Sequence, residues 1–329
     1  MNERIDFVIP WVDGNDPLWI ADKNKYSPAQ LADDRNVRYR DWGLLRYWFR
    51  AVEKNAPWVN KIFFVTWGHV PDWLDVNNEK IVVVNHKDYI PREYLPTFSS
   101  HPIELNLHRI KELSEHFVYF NDDVYLTNKV TPEDFFVDGL PCDCLVESAI
   151  TPRIGEFSSI LCETVGVINK HFKKKDLAGL GMNKYMNPKY KELLIRTISM
   201  KPYNYIMGFY SHHISQPHLK STMSEVWSKE FEELDRTCHN RFRGKNDVSQ
   251  YLFRYWNLCN GKFYPQYPIG KCVNMNQDPN KIAEMIERKL YKVLTVNDSA
   301  DIDNIEERQS VIKKAFDNLF PDKSVYELY

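Results

Sequence analysis

Four short apolar runs constrain the fold of this chain more than any other feature: IDFVIPW from Ile5, KIFFVTW from Lys61, KIVVVN from Lys80 and HFVYF from His116. Each is apolar on successive residues and bounded by turn formers, the pattern of strands buried on both faces. Between the first two, Leu44, Leu45, Trp48, Ala51 and Val52 fall at helical spacing, and a second helix is expected from Ile103 to Ser114 before the fourth run. Strands alternating with helices predict an α/β fold with a Rossmann-like, mostly parallel sheet flanked by helices. In such sheets ligands collect outside the carboxyl ends of the strands, where Asp13, Asp16, Thr66, Asp122 and Asp123 fall.

The pattern changes between about residues 165 and 262. This stretch is charged, periodic and short of strand runs, which predicts a helical insertion within one catalytic domain spanning 1–329. Strands then return in GKFYPQYPIGKCVNM and KLYKVLTVN, and SVIKKAFDNLF reads as a closing amphipathic helix. With 43% hydrophobic residues the chain can bury a large core. A net charge of -2 excludes a general nucleic-acid footprint, so an anionic substrate needs a local cluster of cations. Six cysteines without zinc spacing predict reduced thiols and a cytoplasmic protein, and no run approaches the roughly 20 apolar residues of a membrane span.

The fourth apolar run stops at NDD, residues 121–123, and resumes at once. Adjacent carboxylates after a buried strand suit Mg²⁺ or Mn²⁺, hard cations commonly held by one or two carboxylates plus substrate phosphates; Asn and Asp also simply make turns and caps. DGNDP at 13–17 carries the same two readings, a polar turn or a second acidic wall of one crevice. The segment LPTFSSHPIELNLHRI places Glu104 and His108 four residues apart on a predicted helix face, with Arg109 available to a phosphate. SHHISQPH and HNRFRGKND add histidines, Arg241, Arg243 and Asp247. Carboxylates for a cation, a histidine base and an arginine fork are together the inventory of phosphoryl transfer.

IDFVIPWVDGNDPLW, RYRDWGLLRYWFRAVEKNAPWVNKIFFVTWGHVPDWL and LPTFSSHPIELNLHRIKELSEHFVYFNDDVYL resemble the first two signature regions of the Stealth family of sugar-1-phosphate transferases. The stretch from His213 to about Gly261, with RFRGKND, is similar to the third region, and VNDSAD to the fourth. The resemblance implies a GT-A-like core and a UDP-sugar donor cleaved between its phosphates, with UMP released and a phosphodiester made on a glycan hydroxyl in capsular or cell-surface polysaccharide synthesis. It implies His213, Arg243 and Asp13 as catalytic residues and Asp122, Asp123 and Asp298 as ligands of Mg²⁺ or Mn²⁺; Asp16, Arg40, Glu104, His108, Arg109 and Asp247 are expected as substrate contacts. A lipid-linked oligosaccharide acceptor would bring the protein to the inner face of the cytoplasmic membrane. Two other readings stay open: an ordinary metal-dependent glycosyltransferase releasing UDP, and a non-catalytic glycan-binding protein whose aromatic residues stack on sugars.

Overall fold

In the computed structural model, described for residues 3–27, 39–299 and 302–329, eleven strands form three sheets. They are β1 (Ile5–Trp11), β2 (Ile62–Thr66), β3 (Ile81–Asn85), β4 (His116–Tyr119), β5 (Val124–Leu126), β6 (Phe136–Val137), β7 (Leu140–Asp143), β8 (Gln216–Leu219), β9 (Tyr264–Pro265), β10 (Gly270–Asn274) and β11 (Val293–Asn297). The central sheet has the order β3-β2-β1-β4-β8, and its first four strands are parallel. The α/β expectation therefore holds.

The apolar runs of β1, β2 and β4 are continuous because both faces of the sheet are covered there, whereas the edge strand β3 leaves Val83 exposed. Phe7, Ile9, Phe64 and Val118 pack with the helices Leu45–Asn55 and Ile305–Leu319 on one side. Val8, Phe63, Val65 and Phe117 pack on the other against the helices Phe157–His171 and Tyr251–Cys259. The closing helix buries Ile312, Ala315, Phe316 and Leu319, a stripe at helical spacing.

Two expectations are corrected. The stretch from Ile103 to Ser114 is not one helix: Ser100–Leu105 is α-helical and Leu107–Arg109 is a separate 3-10 turn. Asn106 makes the break, since its side chain donates to Pro102 O and accepts from Arg109 Nε instead of riding a helix surface. Glu104 and His108 therefore do not share a helix face. The stretch 165–262 is mostly helical, but it also returns β8 to the central sheet, antiparallel to β4. Pro217 hid that strand from sequence reading, and an edge strand is where a proline is tolerated.

The second sheet, β10-β11-β5, positions the site. After β4 the chain passes through Phe120, Asn121, Asp122 and Asp123 and enters β5, which runs antiparallel to β11. Phe120 N still donates to Val8 O of the central sheet at 2.9 Å, whereas Val296 N donates to Asp123 O at 2.9 Å. The acidic pair is the hinge between two sheets.

Candidate active site

A cleft of about 770 Å³ opens over that hinge. Its floor carries Asn121, Asp122 and Asp123, and its walls carry Arg40, Glu104, His213, Arg243 and Asp298. Seven of the sequence-predicted residues thus meet in one cavity, although Arg40 and Asp298 stand 258 positions apart in the chain.

Asp122 faces the cleft, and the protein packed around the floor pushes its carboxyl up, with Asp123 and then Asp41 adding to the rise. Asp41, which sequence reading passed over, also lines the cleft. Asp123 Oδ2 lies 3.3 Å from His213 Nε2. Burial lowers the basicity of the His213 imidazole, but the Asp123 carboxylate outweighs it, so its pKa is raised on balance.

His213 has a φ of 40°, a left-handed conformation that non-glycine residues adopt at a cost. What holds it there is Thr295 of β11, whose buried Oγ1 donates to the His213 carbonyl. The same strand donates Val296 N to Asp123 and ends at Asn297, next to Asp298. One strand therefore fixes the backbone of all three site segments. Thr295 carried no motif that sequence reading could have seen.

Asp298 Oδ1 meets Arg40 Nη1 at 3.2 Å. Burial raises the Asp298 carboxyl, with Arg40 among the groups opposing the shift. Across the cleft, Arg243 Nη2 donates to Ser100 Oγ at 3.0 Å, and the buried Glu104 accepts from Tyr119 Oη at 3.0 Å. Ser100, Gln250 and Tyr251 complete this wall without having been singled out by sequence.

The remaining predicted residues lie elsewhere. Asp247 is fully buried behind Arg243, with Oδ1 accepting from Asn240 Nδ2 at 2.7 Å and Oδ2 from Gly244 N at 2.8 Å and paired with His101 Nδ1 at 2.9 Å. Its oxygens are spent on shaping the loop that carries Arg243, which corrects the expectation of a substrate contact. Asp13 Oδ1 closes a turn on Asn15 N, and its own backbone N–H donates to His69 Nε2. Asp16 caps the helix Pro17–Tyr26 by accepting from Leu18 N and Trp19 N, and its other oxygen faces His69 Nδ1 at 3.3 Å. Neither lines the cleft. Arg109 is exposed and stacks over Trp227 at 4.9 Å, and His108 sits beside the same ring, its pKa pushed down to about 4 by burial and then by Arg109. Arg38, Ala300 and Asp301 of the signature motifs lie outside the described residues.

Among the described residues no three His, Cys, Asp or Glu side chains form a ready metal cage. The donor set nevertheless fits a hard divalent cation that takes part of its coordination from phosphate and water, because Asp123 Oδ1 and Asp298 Oδ2 are buried without hydrogen-bond partners in the cleft. Among the described residues no helix is long and apolar enough to cross a membrane.

Residues 3–30 match the profile of Stealth protein CR1, conserved region 1, and residues 38–142 that of Stealth protein CR2, conserved region 2. The capsular polysaccharide phosphotransferase WcwK of Streptococcus pneumoniae is 42% identical, over 99% of this chain and 98% of its own. The receptor polysaccharide phosphotransferase WefC of Streptococcus oralis is 39% identical over 99% of each chain. The exopolysaccharide phosphotransferase cps2G of Lactiplantibacillus plantarum is 38% identical over 98% of this chain and 96% of its own. Among solved structures, the glycosyltransferase GlyE of Streptococcus pneumoniae aligns with 97% of this chain and 64% of its own at 8% identity and a TM-score of 0.39, a likeness too slight to argue from. The full-length relatives and the two conserved regions agree: this chain belongs to the Stealth family and is a transferase enzyme.

Proposed function

We propose that the protein transfers hexose-1-phosphate, or the N-acetylhexosamine equivalent, from a UDP-sugar to a glycan hydroxyl, releasing UMP, in the synthesis of a bacterial capsular or cell-surface polysaccharide. The observation that carries this reading is the meeting of Asp122, Asp123, Asp298, His213, Arg40 and Arg243 around one cleft of about 770 Å³, a volume of the size that small-molecule sites use. The polysaccharide phosphotransferase names of the relatives support it.

In this reading Asp122, Asp123 and Asp298 hold Mg²⁺ or Mn²⁺, which when bound supplies charge neutralisation for the donor diphosphate. His213, oriented by Asp123 on one ring nitrogen, takes the acceptor proton on the other. The acceptor oxygen bonds to the β-phosphorus as the bond from that phosphorus to the bridging oxygen breaks, and UMP departs. Arg243 meets the charge on the phosphoryl oxygens through its two-pronged fork, and Ser100 holds that fork in place. Arg40, anchored on Asp298, is placed for the departing nucleotide phosphate. The reaction belongs in the cytoplasm, with a lipid-linked or growing glycan as acceptor.

The test is to supply UDP-sugars, Mg²⁺ or Mn²⁺ and a glycan acceptor, and to weigh the released nucleotide. UMP together with a phosphodiester-linked sugar is the expected result. UDP would make the enzyme an ordinary glycosyltransferase, and release of neither nucleotide from any UDP-sugar would overturn the donor assignment.

A further inference from the structure

Beyond the cleft, one region breaks the charge balance of the chain. Residues 173–207 contain eight Lys and Arg against Asp176 and Glu192, while the whole chain is net -2. The same region exposes apolar side chains that nothing in the fold requires at the surface: Met182, Ile195, Ile198, Tyr203, Tyr205 and Met207. Ile195 and Ile198, three apart on the helix Leu194–Met200, present one apolar edge, and Ile195 and Tyr205 are each 71% exposed. Lys175, Lys191, Arg196 and Lys201 are exposed among them.

Exposed aliphatic and tyrosine side chains interleaved with lysines distinguish between partners. The buried centre of a protein–protein interface is depleted of charged residues, lysine above all. An anionic bilayer suits both components, since apolar tips enter the acyl boundary while lysines snorkel to the headgroups. We infer that residues 173–207 form a docking surface for an anionic lipid bilayer.

The surface is coupled to the cleft by a short ribbon. Ser148 N donates to Gly208 O at 3.1 Å, Ile150 N to Met207 O at 3.3 Å, and Glu147 bridges Phe209. The chain then runs through residues 151–156, where Ile154 is 98% exposed and Arg153 and Glu156 line the cleft. A protein seated by this surface holds that edge of its cleft next to the headgroups, where the sugar of a lipid-borne acceptor stands. Docking itself does not depend on the phosphotransfer reading, and it is measured without nucleotide or acceptor.

The full chain is mixed with vesicles of phosphatidylcholine alone or with 40% phosphatidylglycerol, and bound protein is measured by co-sedimentation. Binding to the anionic vesicles only, weakened by added salt, is expected. Lys175→Glu with Lys201→Glu should weaken partitioning by at least about tenfold, since each lost charge near an anionic surface counts for roughly fivefold. Ile195→Ser with Ile198→Ser should weaken it while leaving its salt dependence in place. All four positions are exposed, so thermal melts of the variants should match the wild type. Absence of binding to the anionic vesicles at low salt, or binding that both variants leave unchanged, overturns the inference.

Discussion

Two acidic turns, each following a strand of the central sheet, look alike in sequence and differ in fate. In DGNDP, Asp13 and Asp16 use their carboxylates locally: one closes a turn on Asn15 N, and the other caps a helix through Leu18 N and Trp19 N. In NDD, Asp123 keeps one oxygen buried and unpaired, and Asp122 opens onto the cleft. The difference lies in the element that each turn leads into. A helix begins after the first turn and supplies free N–H groups that satisfy a carboxylate. A strand begins after the second, and its first N–H, that of Val124, is taken by the Asn121 carbonyl, so the carboxylates are left for something from outside.

The largest effect should come from removing that unsatisfied charge. Asp123→Asn is expected to cut turnover by at least about 10³-fold, because in the proposed reaction it would disturb both the hold on a cation and the His213 pairing. Metal-dependent donor binding, followed by calorimetry, should vanish with it; retained binding would break the contrast between the turns. His213→Ala should reduce kcat on the order of 10²- to 10³-fold with donor affinity nearly intact, as single-turnover kinetics would report. Arg243→Lys should cost about 10- to 100-fold in kcat/KM, since an ammonium cannot reproduce the fork, and a loss below threefold would remove it from phosphate contact.

The smallest effect on activity belongs to the other turn. Asp16→Ala should leave kcat/KM within about twofold while lowering stability by about 1 kcal/mol, the usual worth of a cap. The Trp19 amide is the main cause of a depressed Asp16 carboxyl; burial opposes it, and the Leu18 amide and His69 add to it. The stabilisation this brings is complete above the unfolded value near pH 4 and is lost as pH falls through the depressed folded value. The difference in Tm between wild type and Asp16→Ala should therefore narrow below about pH 4. A fall in donor affinity with unchanged stability would instead return Asp16 to the substrate.

The central sheet was legible because β1, β2 and β4 each bury consecutive residues, which requires a continuous apolar run, and the edge strand β3 carries a similar run although its Val83 is exposed. Asp122, Asp123, His213 and Arg243 were legible through motifs, and the fold brings them together. What escaped notice depends on partners distant in sequence. Thr295 reads as an ordinary β-branched strand residue until it meets the carbonyl of His213. Asp247 has the same acidic side chain as a ligand would, and only its three hydrogen bonds show that it serves a loop. Asn106 breaks a helix by side-chain bonds that periodicity does not register.

The hinge between β4 and β5 also governs when the protein becomes competent. Because Asp123 is pinned by Val296 and faces His213, the cleft floor is complete only after segments around residues 123, 213 and 296 have met. A ligand bound there acts as a staple across the seam, stabilising the docked state in proportion to its own affinity. Donor and cation together should thus slow proteolysis of the C-terminal segments that complete the floor, and a chain still emerging from the ribosome has no floor with which to hold its substrate.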